Sequence, residues 1–141
     1  MIDVVTEELS LQTRGFTDII DITSYVNELL QQHPFQEGQV TVFVPGSTGA
    51  LTTIEYEPGL LRDLPEFLEQ IIPMKKRYHH DDTWHDGNGY AHLRASLLKP
   101  SLTIPFKNKR LLLGTWQQII FVDFDNRPRH RRLIVQFWGK K

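Results

Sequence analysis

Between Leu102 and Trp138, short alternating apolar runs are cut by tight-turn sequences, and this spacing constrains the fold more than any other feature of the chain. Leu102, Ile104 and Phe106 alternate with polar neighbours, Lys107-Asn108-Lys109-Arg110 makes a turn, and Leu111 and Leu113 resume the run. That is the pattern of a β-hairpin. Gln118 to Phe124 and Arg132 to Trp138 are two more strand-like runs, separated by Asp125-Asn126-Arg127-Pro128-Arg129. So short a gap predicts a further antiparallel pairing and a C-terminal meander. Hairpin-length links also leave no room for the helical crossovers that parallel strands need.

The first half supplies the rest of the sheets and two helices. Val5, Leu9 and Leu11 share a parity with Glu7, which predicts an opening strand with one covered face running toward Gly15. Asp21-Ile22-Thr23-Ser24 offers capping oxygens ahead of Ile22, Val26, Leu29 and Leu30, a helical stripe that Pro34 ends. Val40-Thr41-Val42-Phe43-Val44 is apolar on both parities, so it reads as a central strand covered on both sides. After Gly46-Ser47-Thr48-Gly49, the run Ala50 to Tyr56 resumes a β pattern that Glu57-Pro58-Gly59 breaks. Leu61, Leu64, Leu68, Ile71 and Ile72 then mark a second helix, with Pro65 in its first turn and Pro73 closing it. The whole predicts an α+β fold, a predominantly antiparallel β sandwich with two main helices, in a single domain over residues 1–141.

Composition removes several functional classes. Sixteen basic against seventeen acidic residues leave a net charge of -1, so no global field holds the chain on nucleic acid or an anionic membrane. The absence of cysteine excludes disulfides, thiolate metal sites and thiol nucleophiles together. No apolar run is long enough to span a bilayer and no signal-like segment opens the sequence, so the expected location is cytoplasmic.

One stretch carries chemistry. From Tyr78 to His92 lie four of the six histidines, with Asp81, Asp82 and Asp86 among them. Neutral imidazoles and carboxylates bind divalent metals and move protons near neutral pH, and Gly87 and Gly89 let the backbone approach a ligand. His79 and His80, adjacent on an extended backbone, would face opposite ways, and His80 is the better ligand candidate beside His85 and His92. Asp81 and Asp82 read either as groups orienting the imidazoles or as solvated acids. No His-Glu-x-x-His spacing specifies zinc, so Zn²⁺ and Mg²⁺ both stay open. Arg127, Arg129, Arg131 and Arg132 with His130 form the main basic cluster, which strand alternation would divide between faces. A solvated or intersubunit surface explains it better than an RNA track.

The motifs Asp86-Gly87-Asn88-Gly89, Ala91-His92-Leu93, Ser96-Leu97-Leu98, Pro100 to Pro105 and Leu113-Gly114-Thr115-Trp116-Gln117-Gln118 resemble the YjbQ family, also called UPF0047. The likeness extends to Asp125 to Arg129 and, more loosely, back to Asp21-Ile22-Thr23 and Val40 to Pro45. It implies a compact α+β sandwich assembled as a homotrimer, with a polar cleft built by the histidine motifs near subunit boundaries. It also implies a secondary thiamine-phosphate synthase activity. Two positions depart from the family. Gly46 stands where many relatives carry histidine, in a loop usually His-Thr-Thr-Ala and here Gly46-Ser47-Thr48-Gly49. Lys109 stands where glycine usually follows the turn asparagine, at a cost of about 1 kcal/mol if that residue needs a positive φ.

These readings define the candidate site. His92 and Asp86 are the catalytic pair, His80, His85 and His92 the metal ligands, and Arg94, with Lys99 near it, the phosphate contact. Asp86 has an alternative role as a turn aspartate bonding the amides of Gly87 and Asn88, and His92 as a core histidine bonded to a carbonyl. Trp116 offers a stacking face and Gln117 an edge-reading amide, with core packing as the alternative for Trp116 and a sheet-edge hydrogen bond for Gln117. Ser47 and Thr48 offer hydroxyls and amides to a phosphate, or simply make a turn. Two functions compete: a transferase releasing pyrophosphate from a small phosphorylated metabolite, and a non-catalytic metal- or metabolite-binding trimeric housekeeping protein. Neither involves nucleic acid or membrane.

Overall fold

The computed structural model describes residues 1–141. In chain order the elements are β1 (Asp3–Thr13), β2 (Asp18–Asp21), α1 (Thr23–Gln31), β3 (Glu37–Phe43), β4 (Gly49–Ile54), α2 (Pro58–Ile71), α3 (His79–Trp84), α4 (Gly89–Leu98), β5 (Ser101–Lys107), β6 (Arg110–Leu111), β7 (Gln118–Asp123) and β8 (Arg129–Lys140). They form a five-stranded sheet in the order β1-β8-β3-β5-β6 and a three-stranded sheet in the order β2-β7-β4, and every pairing is antiparallel. No helix is long and apolar enough to cross a membrane.

Two apolar layers hold this together. Leu11, Val40, Val42, Leu133, Val135 and Phe137 from the large sheet meet Leu51, Ile119 and Phe121 from the small one, and Ile22, at the N-cap of α1, with Val26 and Leu30 of that helix closes the layer. The other face of the small sheet, through Ala50, Ile120 and Val122, packs on Leu68 of α2 and Tyr90, Ala91 and Ala95 of α4. At about 25 cal/mol per Å² of apolar surface, these layers are the main source of stability. The parity of β1 follows its sequence, inward positions alternating with exposed ones.

Four expectations need correction. The strand covered on both sides is β7, whose Ile119 and Phe121 face one layer while Ile120 and Val122 face the other. In β3, Val40 and Val42 are buried but Phe43 is 41% exposed on the open side of the large sheet. The runs 118–124 and 132–138 do not pair with each other, because Asp125 to Pro128 carries the chain from the small sheet to the large one. Pro65 lies inside α2 rather than in its first turn, since the helix starts at Pro58 with the Glu57 carboxylate accepting the amides of Gly59 and Leu60. The 101–111 segment is the expected hairpin, with Lys107 opposite Arg110, but strand structure stops at Leu111.

The sheet changes meet in one place. The links β1 to β2, β3 to β4 and β7 to β8 each pass between sheets, and all three converge where Thr13 pairs with Arg129 and Asp123 pairs with both Asp18 and Gly49. The Phe16 amide donates to the Asp125 carbonyl at 2.7 Å, and the Phe124 amide to that of Thr48 at 2.9 Å. Strands that part company leave backbone and side-chain polar groups inside, which must find partners there.

Candidate functional site

That convergence is filled by a buried polar network. The Arg131 guanidinium donates from Nε and Nη2 to the Asp123 carboxylate at 2.8 and 2.9 Å, and from Nη2 to the Thr48 hydroxyl at 2.7 Å. Thr13 donates its hydroxyl to Asp123 at 2.6 Å. Asp125 accepts from the Asn88 amide at 3.2 Å, the Thr48 hydroxyl at 3.2 Å and Arg129 Nη1 at 3.0 Å. Burial pushes the Asp125 carboxyl upward, but the bonds from the Asn88 side chain and the Asn126 amide, with Arg129 and Thr48, outweigh it and hold it below the usual carboxylate range. Arg131 therefore belongs to the interior, not to a solvated basic face; strand parity turns it inward and Asp123 compensates its charge.

Asn88 ties this network to the histidines, because it immediately precedes α4. The stretch that begins at His79 and His80, expected as extended backbone there, is two helices, α3 and α4, joined by a turn that His85 enters with φ 57° and Gly87 continues with φ 69°. Asp81 of α3 accepts the Gly89 amide at 3.1 Å, fixing the two helices together. Asn126 donates to the Asp86 carbonyl at 2.7 Å, fixing the turn onto the β7–β8 link. His80 and His92, one from each helix, then face each other with ring centroids 4.2 Å apart. His80 Nδ1 lies 3.6 Å from an Asp86 oxygen and 3.7 Å from an Asp81 oxygen, is buried, and has no hydrogen-bond partner. Donor atoms of His80, Asp81 and Asp86 all lie within 4.8 Å of one another.

His92 links this group to open space. It lines a cleft of ≈ 200 Å³ with Gly46, Ser47, Gly49, Ala95, Ser96 and Pro100. Its ring makes no hydrogen bond within the chain, so it is not a core histidine held by a carbonyl. Burial lowers its pKa below the ordinary histidine value and His80 adds to that, with Asp86, Asp125 and Asp81 pulling the other way. The result is a neutral imidazole at pH 7.

The structure thus gathers His80, Asp86 and His92 and adds Asp81, but leaves His85 out. His85 caps α3 in the left-handed conformation and is exposed, outside the group of donors. Asp86 makes no bond to the amides of Gly87 or Asn88, leaving its carboxylate free. His79 is fully exposed, and Asp82 is engaged by Arg77 at the surface. Arg94 is corrected to a packing role. It is 1% exposed, and its guanidinium donates to the Ile72 carbonyl, Thr17 and Glu69. Thr48 likewise spends its hydroxyl on Asp125 and Arg131, whereas Ser47 stays exposed at the cleft. Trp116 is 72% exposed, and Gln117 accepts the Gly114 amide and donates to the Thr53 hydroxyl, both in the turn just before β7. At ~3.3 Å per residue, the strand that follows them spans about 17 Å before it reaches the Asp123 end where the histidines gather. Asn88, Asp123, Asp125 and Arg131 were not legible in the sequence as members of one site. Their only signal was two aspartates at the end of an otherwise apolar strand, which is unusual for residues that turn out to be fully buried.

A second orphan sits on α4, two residues before His92. The Tyr90 hydroxyl is buried and unpartnered, while its ring lies 5.2 Å from the Arg94 guanidinium carbon. Burial pushes the phenol up to about 12, Arg94 opposing and Asp125, Asp123 and Glu69 adding to the rise. It stays protonated at any working pH.

Comparison with known proteins agrees with this architecture over almost the full length. Residues 7–140 match the model of the family described as UPF0047 protein YjbQ-like. A UPF0047 protein of Archaeoglobus fulgidus is 44% identical over 129 residues, covering 92% of this chain and 98% of that protein. One from Methanothermobacter thermautotrophicus is 41% identical, covering 98% and 94%. Among solved structures, a YbjQ-like protein of unknown function from Sulfolobus solfataricus superposes with a TM-score of 0.93 at 26% identity, covering 99% of this chain and 100% of that one. An uncharacterised YjbQ/UPF0047 protein from Clostridium acetobutylicum gives 0.84 at 35% identity, covering 93% and 98%. On both sequence and fold, the chain belongs to the YjbQ/UPF0047 family.

Proposed function

We propose that His80, Asp86 and His92 form the reaction centre of a small enzyme of the YjbQ type acting on a phosphorylated heterocyclic metabolite. The observation that carries this reading is the buried, unpartnered Nδ1 of His80 beside two carboxylates. An imidazole nitrogen left without a partner in such a place is costly unless a ligand completes it. The gaps of 3.6 and 3.7 Å are too long for good hydrogen bonds and suit donors placed around an ion, so the residues fit a divalent metal. A Zn²⁺ or Mg²⁺ ion held by His80, Asp86 and Asp81 would supply charge neutralisation for a phosphate-bearing leaving group.

The family resemblance supplies the reaction: a pyrimidine diphosphate condenses with a thiazole phosphate. The carbon–oxygen bond to pyrophosphate breaks, the thiazole nitrogen bonds the freed methylene carbon, and thiamine phosphate and pyrophosphate leave. Neutral His92 donates from one ring nitrogen and accepts at the other, which suits it to orient the diphosphate and, through its N–H, to stabilise charge developing on the departing oxygen. Ser47 lines the same cleft. Pyrophosphate release from the two thiamine precursors tests this directly. We expect His92→Ala to lower turnover by about a hundredfold or more; undiminished turnover by the folded variant overturns the assignment.

Non-catalytic binding of a metal or metabolite is the second reading. Gly46 favours it, because His92 is then the cleft's one imidazole. Stoichiometric metal with no pyrophosphate release would select it. In either case we propose a homotrimer, supported by the uncovered face of the large sheet, where Val4, Phe43 and Trp138 stand exposed.

A further inference from the structure

The link between β3 and β4 does more than change sheets. The backbone amides of Gly46 and Ser47 donate to no group of the chain, and both residues are exposed at the cleft that His92 lines. Beneath them lies Arg131. Asp123 takes its Nε and one edge of Nη2, and Thr48 takes the other, so the guanidinium is clamped in one orientation. Nη1 has no acceptor, yet it is not among the buried unpartnered atoms, so it reaches solvent. A Cβ built on Gly46 would stand 3.3 Å from Nη1, and Gly46 has φ +152°, a conformation that side-chain-bearing residues rarely adopt. Glycine at this position keeps the approach to the guanidinium open.

We propose that Arg131 Nη1, with the amides of Gly46 and Ser47, is a binding site for a phosphate group, specifically the terminal phosphate of a diphosphate. A preformed guanidinium edge and adjacent free amides are the donors a tetrahedral oxyanion requires. The two nearby carboxylates do not repel it, because Asp123 is answered by Arg131 and Asp125 by Arg129. This deepens the reading of the cleft as a substrate site, rests on it, and assigns the phosphate contact to Arg131 in place of Arg94.

The test is binding of inorganic pyrophosphate to the full chain in the presence of EDTA, followed by calorimetry. Wild type should bind. Gly46→Ala, which places a methyl over Nη1, and Arg131→Lys, which removes the forked edge, should each weaken binding by about tenfold or more in protein whose circular dichroism shows it folded at the assay temperature. If Arg131→Lys unfolds, Gly46→Ala alone carries the comparison. No binding by wild type, or undiminished binding by folded Gly46→Ala, overturns the proposal. Because EDTA removes any metal, binding that persists while the turnover assay stays silent would refute the enzyme and leave this site standing.

Discussion

His92 is where burial, charge and access meet, and its titration is the sharpest residue-scale consequence. Its folded pKa is depressed, chiefly by burial and then by His80, whereas in the unfolded chain it titrates near ~6.5. Below that value the unfolded state holds more protons than the folded one, so His92 subtracts stability as pH falls from about 6.5 toward its folded pKa. Replacing it with Gln removes that loss. Denaturant melts at pH 7.5 and pH 5.5 should show the difference between wild type and His92→Gln shifting in the variant's favour at the lower pH; a constant difference contradicts the account. Asp123 is the other extreme. Its carboxylate is fully buried against Arg131, so Asp123→Ala leaves an uncompensated charge and should cost about 3–5 kcal/mol in the same assay. The two residues also differ in how they announced themselves. His80, Asp86 and His92 were legible because imidazoles and carboxylates so dense have few structural uses. Asp123 and Arg131 were not, because alternation assigns a face to a residue but not a partner across two sheets.

Among the elements, those built on a single covered face were readable and those that change partners were not. β1, α1 and the 101–111 hairpin follow from apolar spacing and turn chemistry. The link 125–128 has hairpin length but joins different sheets, which no local pattern distinguishes from a hairpin. α4 was hidden because Arg94 occupies its buried face beside Tyr90, Ala91 and Ala95, breaking the apolar stripe that would have marked a helix. The hairpin turn carries a measurable strain. Asn108 and Lys109 have φ 53° and 59°, so Lys109 sits in the left-handed region that glycine tolerates freely. Lys109→Gly should raise stability by about 1 kcal/mol in equilibrium denaturation; a destabilised variant would mean that its side chain contributes contacts outweighing that strain.

For the molecule as a whole, the fold explains why so many polar groups gather in one place. Three sheet-to-sheet links converge, the groups they bury pair with one another, and α3 and α4 are pinned over that network by Asn88 and Asn126. One face of the large sheet stays open, with Trp138 paired in register beside Val4 and Gln39. If that face joins copies of the chain, Trp138→Asp should lower the sedimentation mass toward a monomer while leaving secondary structure intact; an unchanged assembly places the contact elsewhere. The central claim concerns the group formed by His80, Asp81 and Asp86, and calorimetric titration of tag-free, EDTA-stripped protein with Zn²⁺ tests it most directly. Stoichiometric binding that His80→Ala abolishes is the expected result. Binding that is absent from the wild type, or equally strong in the folded variant, would contradict it.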